Sequence, residues 1–210
     1  MKNPTKIGLC VILAVYMAGC SVPRRDTLEK KTFLLKVEHP EETIPQPITA
    51  CFNIRMTRVA PAFSGSQLVY RTGPVTYEQD YYNAYLSTPD EQLNEIVKRW
   101  FRDSRQFVCH TAEESGKETI TFEPHLDELY ADFQGSGNPS AVAQMHFYLS
   151  RYDQGCGCPV EILKKSYAVS TPLPSAKPTP EEVVAALSQS VEQILLELEQ
   201  DLVSQLKLNN

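Results

Sequence analysis

The sequence predicts an α+β fold, a two-layer sandwich in which a largely antiparallel sheet packs on two amphipathic helices. Three observations lead there. Two segments carry apolar residues at helical spacing behind matching N-terminal signals, Thr88-Pro89-Asp90-Glu91 and Thr179-Pro180-Glu181-Glu182. Residues 117–170 alternate apolar and polar side chains in three runs separated by turn-forming residues. Helix stripes and a one-sided sheet each need an apolar partner, and packing one on the other is the economical arrangement.

The chain opens with a secretion signal. Lys2 and Lys6 make a positive start, residues 7–18 are an apolar run, and Ala18-Gly19 are small residues placed before Cys20. A bilayer span takes roughly 20 apolar residues, more than this run supplies, and nothing downstream is longer. Met17-Ala18-Gly19-Cys20 resembles the bacterial lipobox, so cleavage is expected between Gly19 and Cys20, with Cys20 as the lipid-bearing N-terminus. Each buried methylene of an acyl chain contributes about 0.8 kcal/mol, so several chains on one cysteine anchor durably. Residue 21 is Ser rather than Asp, which resembles the pattern sorted to the outer membrane, facing the periplasm. The expected organisation is a signal peptide at 1–19, a lipidated N-terminus and tether at 20–31, and a single domain at 32–210.

Within that domain Phe33, Leu35 and Val37 alternate as a strand, and three prolines make residues 39–49 a loop. A second strand is expected over 50–59, with Phe52, Ile54 and Met56 on one face. Residues 68–72 and 75–78 flank Gly73-Pro74 as a hairpin. Thr88 then caps a helix whose Leu93, Ile96, Val97, Trp100 and Phe101 form one apolar stripe. A short strand near 106–109 follows. The meander runs through Ile120, Phe122, Leu129, Ala131 and Phe133, turns at residues 135–139, and returns through Ala143, Met145, Phe147 and Leu149. After a second turn at 153–159 it ends with a strand over 160–169. The last helix carries Leu187, Val191, Ile194, Leu195, Leu198, Leu202 and Leu206 at helical spacing.

Charge and cysteines bound the function. Loss of residues 1–19 removes two lysines and no acid, which leaves 18 basic against 26 acidic side chains. Such a chain is a poor nucleic-acid ligand, since backbone binding needs clustered Lys and Arg. Cys51, Cys109, Cys156 and Cys158 remain beside Cys20, and an oxidising compartment permits disulfides in three alternative pairings. A Cys51–Cys109 bond closes a long loop and a Cys156–Cys158 bond almost none; buried free thiols are the alternative.

No catalytic motif is present: no GxSxG, HExxH, phosphate loop or GxGxxG. Ser204-Gln205-Leu206-Lys207 matches SxxK but sits at the end of the terminal helix without accompanying motifs. His39, His110, His125 and His146 are scattered singly, and no zinc ligand set accompanies Cys156 and Cys158. The expectation is therefore no enzyme, no metal and no cofactor.

The unusual composition lies at residues 70–85, where Tyr70, Tyr77, Tyr81, Tyr82 and Tyr85 accompany Arg71, Asp80 and Asn83. Tyrosine joins a large apolar ring to a hydroxyl and suits half-buried seams and interfaces. Most of these rings are expected to cover the sheet edge and the helix entrance. Tyr70, Arg71, Tyr77, Asp80, Tyr82, Asn83 and Tyr85 are the candidates to meet a partner.

Val59-Ala60-Pro61, Leu68-Val69-Tyr70-Arg71, Tyr77, Asp80-Tyr81-Tyr82-Asn83 and Pro89 resemble the ABC-type transport auxiliary lipoprotein family, which includes the third component of the paraquat-inducible operon. The order of elements also agrees over nearly the whole mature chain. Tyr85-Leu86 departs from the Trp-Ala pair common there before the helix. The resemblance implies a non-catalytic accessory subunit that works with an ABC permease, its ATPase and a periplasmic MCE-domain protein. Such systems move phospholipid or other hydrophobic molecules between membranes, and the implied role is a docking point, with a homo-oligomer compatible. A stand-alone lipid- or metabolite-binding lipoprotein and an envelope assembly lipoprotein are the alternatives.

Overall fold

Residues 29–40, 47–109, 119–135 and 137–208 are described by a computed structural model. The strands are β1 (Lys31–Phe33), β2 (Ile48–Thr49), β3 (Cys51–Ile54), β4 (Arg58–Val59), β5 (Gln67–Arg71), β6 (Tyr77–Tyr85), β7 (Phe107–Val108), β8 (Thr119–Asp132), β9 (Ser140–Asp153) and β10 (Cys158–Pro172). The helices are α1 (Pro89–Asp103) and α2 (Pro180–Leu208), with a 3-10 turn at Pro61–Phe63. The α+β class agrees with expectation.

Strand β8 organises the sheet. On one side lie β9 and then β10, both joins antiparallel, as alternation predicts. On the other side β3, β4 and β5 follow one another along β8, all parallel to it. Strand β6 returns antiparallel on β5, and β1 closes the edge parallel to β6. The sheet is mixed: its long β8–β9–β10 joins are antiparallel as expected, and the short joins of β1, β3, β4 and β5 are parallel. Hairpins are written in local turns, whereas parallel joins need a crossover, here through α1 for the joins to β8, that no local pattern specifies. Strands β2 and β7 form a separate parallel pair.

Three irregularities correct the expected strands. The strand over 50–59 is two strands: between Ile54↔Phe122 and Arg58↔His125 it advances four residues while β8 advances three. The extra residue reverses the facing, so Thr57 is buried and Met56 exposed. A bulge between Leu126 and Glu128 does the same in β8, and the inward set changes from Ile120, Phe122 and Leu126 to Leu129 and Ala131. Beyond Phe33 the chain leaves the sheet, although Leu35 and Val37 stay buried. Its backbone is held by helix side chains instead: Leu35 N–H donates to Gln92 Oε1 (2.7 Å), Lys36 N–H to Ser188 Oγ (3.0 Å), and Arg99 to Val37 O (2.8 Å). Lys31, placed by the sequence before the domain, already belongs to β1.

Both helix starts use the expected chemistry. Thr88 N–H donates to Glu91 Oε2 at 3.3 Å. At α2 the exchange is reciprocal, Thr179 N–H to Glu182 Oε2 (2.7 Å) and Glu182 N–H to Thr179 Oγ1 (3.3 Å). The α1 stripe from Leu93 to Phe101 is buried throughout, as is the α2 stripe through Leu202. Small Ala141 and Ala143 on β9 let α2 approach closely enough for Ser190 Oγ to donate to Ala141 O at 3.1 Å.

Candidate functional site

The tyrosine-rich segment is strand β6, and its irregularity gives the site its shape. Between Gln67↔Ala84 and Val69↔Gln79, β5 advances two residues and β6 five. Asp80 ties off the surplus. Its Oδ1 accepts the N–H groups of Tyr82 (2.8 Å) and Asn83 (3.0 Å), and its Oδ2 accepts Tyr70 O–H (2.9 Å) and Asn83 Nδ2–H (2.9 Å). Tyr70, Asp80 and Asn83, named as contact residues from sequence, thus form an internal knot. What the knot displays is Tyr81, 70% exposed, beside half-exposed Tyr82, their rings T-shaped at 5.1 Å.

The other named residues divide. Tyr85 is 4% exposed, and its hydroxyl has no hydrogen-bond partner among the described residues, so it packs rather than docks. Arg71 pairs with Asp132 (3.4 Å) and donates to Pro74 O (3.3 Å), bracing the hairpin. Tyr77 stands edge-on to Tyr130 at 5.4 Å, and Tyr130 stacks on Phe63 at 5.8 Å. Tyr81 is not among the contact candidates that the sequence offers, because simple alternation fails inside a bulge.

The knot is pH-sensitive in a defined direction. Burial opposes ionisation of Asp80, but the four hydrogen bonds win and hold its carboxyl below the ordinary value. Burial first, then the bond and charge of Asp80, push Tyr70 up. A carboxyl lowered on folding stabilises fully above its unfolded value of 3.8 and loses that stabilisation as pH falls through the lower folded value. Protection of the Tyr82 and Asn83 amides, measured by NMR exchange relative to their intrinsic rates at each pH, should therefore be high near neutrality and fall only in that acid window. Asp80→Asn should flatten the acid fall; an unchanged profile in that variant would refute the assignment.

A second polar cluster lies between the helices. Glu199 Oε2 accepts Trp100 Nε1–H (2.9 Å) and bonds His39 Nε2 (2.8 Å), while His39 Nδ1 faces Pro40 O at 2.7 Å. The His39 and Trp100 rings meet at 4.6 Å. Beside them is a cavity of about 340 Å³, lined by His39, Gln106 and Glu199 with Leu196 and Val203 as apolar wall. No sequence motif announces this trio, because its members come from a loop and two helices. Ser204 Oγ, the first position of the SxxK match, donates to Gln200 O within its own helix at 2.9 Å.

On the sheet face away from the helices, His125 stacks on His146 at 4.4 Å, and His146 Nδ1 meets Asp127 Oδ2 at 2.7 Å. Burial, then His146 and Arg58, push His125 below its ordinary value. The cysteines pair as Cys51–Cys109 and Cys156–Cys158. Gly157, between the latter pair, sits at φ +66°, a conformation that favours glycine. Gly19, Cys20 and His110 lie outside the described residues.

Fold and site define an α+β domain whose mixed sheet carries two helices and a tyrosine-displaying edge. It is similar to a Xanthomonas campestris protein described by the DUF330 family model, with TM-score 0.70 and 14% identity over 85% of this chain and 98% of that one. An uncharacterized protein matches with TM-score 0.61 and 18% identity over 83% and 99%. A hypothetical protein from Chlamydia trachomatis matches with TM-score 0.52 and 9% identity over 76% and 98%. These likenesses establish the fold. The sequence matches no family model and no curated protein.

Proposed function

We propose that this chain is a lipid-anchored, non-catalytic accessory subunit of an ABC/MCE-type transport system for lipid or another hydrophobic molecule. It docks the periplasmic component at the outer membrane. The observation that carries this reading is Cys20 in Met17-Ala18-Gly19-Cys20, ten residues before Lys30, which seats on the displayed Tyr81 with Nζ 4.1 Å from the ring centre. The resemblance around residues 59–89 supplies the transport system. Crosslinking in intact cells, followed by purification from membranes, tests the proposal. Recovery of MCE-domain and ABC components is expected for the wild type and sharply reduced recovery for Cys20→Ala, which should appear in the soluble fraction. Absence of both partners under conditions that preserve the complex would sink the transport role. A Cys20→Ala protein that stays with membranes after high-salt washing would sink the anchor.

The cavity at Glu199 favours a second reading, a lipoprotein with its own small ligand. Its volume of about 340 Å³ and mixed lining are at the lower end of those of small-molecule sites. Saturable binding of an offered lipid, seen by native mass spectrometry with the purified protein and lost in Glu199→Gln, would favour it over docking alone.

A further inference from the structure

We infer that the β1–β6 edge of the domain is a membrane-contact surface, seated on the headgroups of the bilayer that holds Cys20. The inference rests on the anchor reading and adds which face of the protein meets lipid and which residues enter it.

The surface is built by the parallel register Lys31↔Asn83, Thr32↔Ala84, Phe33↔Tyr85. Side chains paired across a sheet share a face, and alternate residues share it along a strand. Phe33 and Tyr85 therefore turn to the core, while Thr32, Leu34, Ala84 and Leu86 turn outward. Leu86 N–H donates to Phe33 O at 2.8 Å, the closing bond of the β1–β6 pairing, and Leu34 and Leu86 are the next residues after these strands. These two leucines are 56% and 64% exposed. At the other end of the same edge stand Tyr81 and Tyr82, pushed out by the Asp80 knot, with Lys30 over the Tyr81 ring. Leucine, tyrosine and lysine along one edge are the residues of a membrane interface: apolar side chains for the acyl boundary, amphipathic rings at headgroup level, an ammonium for phosphate.

Chain length selects the bilayer over a protein as occupant. Lys30 lies ten positions after Cys20, a span of at most roughly 33–36 Å, with an average nearer 18 Å if flexible. A domain of this size has a radius of gyration of about 16 Å. The face from which so short a tether emerges cannot turn far from the membrane, and that face is the β1–β6 edge. Strand β1 is only three residues long, a poor template for strand addition by a protein partner.

The test uses the mature lipidated protein in phosphatidylethanolamine–phosphatidylglycerol vesicles with brominated acyl chains, which quench tryptophan near the bilayer. Trp100 is buried, hydrogen-bonded to Glu199, and serves as an internal background. Tyr81→Trp is the reporter. Val75→Trp, at the exposed tip of the hairpin about 20 Å along the strand, is the control. All proteins are expected to float with the vesicles. The indole added in Tyr81→Trp should lose emission roughly twofold with a blue shift, and the one added in Val75→Trp should not; insertion to about 5–10 Å depth gives this pattern. Tyr81→Trp protein that floats unquenched, or Val75→Trp protein quenched to the same degree, overturns the contact surface and leaves the anchor standing. Protein that does not float overturns both.

Discussion

Opening the Cys51–Cys109 disulfide is expected to lower the stability of the domain by about 4 kcal/mol. The bond joins positions 58 residues apart, the start of β3 and the residue after β7, so it removes a large loop from the freedom of the unfolded chain. Strand β3 is also paired with β8, but β7 has only a short pairing. The β2–β7 pair is two residues on each side, flanked by Ile48 N–H to Gln106 O (2.8 Å) and Ala50 N–H to Val108 O (3.2 Å). Phe107 from β7 nevertheless packs on Phe52 and Phe101 at the end of the core, at 5.1 and 5.7 Å, so loosening the pair opens an aromatic cluster. Urea unfolding of Cys51→Ser/Cys109→Ser should show the midpoint falling, with reduced wild type moving equally far. The pair Cys156→Ser/Cys158→Ser is the comparison, because a bond between residues two apart closes almost no loop. Equal midpoint shifts in the two double variants would contradict the loop argument.

Glu199→Ala is expected to cost about 1–3 kcal/mol, the penalty for leaving a buried donor without an acceptor. The mutation strands the Trp100 indole N–H and removes the partner of His39 Nε2. Glu199→Gln keeps an acceptor oxygen and is expected to lose roughly half as much. Trp100 is the chain's single tryptophan, so its emission reports the change directly. Loss of the hydrogen bond should alter emission in Glu199→Ala more than in Glu199→Gln. If Glu199→Ala unfolds at the wild-type midpoint, the trio is not holding α1 to α2. The same carboxylate lines the cavity, so a variant that folds but no longer binds a ligand would separate the two roles.

Much of the fold is legible in the chain because its causes are local. A Thr-Pro-x-Glu start and a stripe at i, i+3 and i+4 operate within one helix, and both helices form where those signals stand. The β8–β10 meander is legible for the same reason: alternation and turn residues act between neighbours in sequence. The site is legible only as composition. Tyrosines at 70–85 mark the region, but composition misplaces several of their roles. Tyr85, a contact by composition, is buried; Asp80 and Asn83, also contacts by composition, form a knot; and Tyr81, outside the candidate set, is displayed. Each outcome depends on a bulge, and a bulge is a mismatch between two strands that neither strand contains alone.

The proposed processing and attachment rest on Met17-Ala18-Gly19-Cys20 alone and need no fold, since a lipobox is read as linear chain. Helix positions and the α+β class likewise follow from patterns a few residues long. The parallel joins to β8, the disulfide selected among three pairings, the meeting of His39, Trp100 and Glu199, and the outward turn of Tyr81 arise differently. Most of them require segments about 60 to 160 residues apart to be brought into register, and the energy that selects that register comes from burying the shared core, not from any one segment's preference.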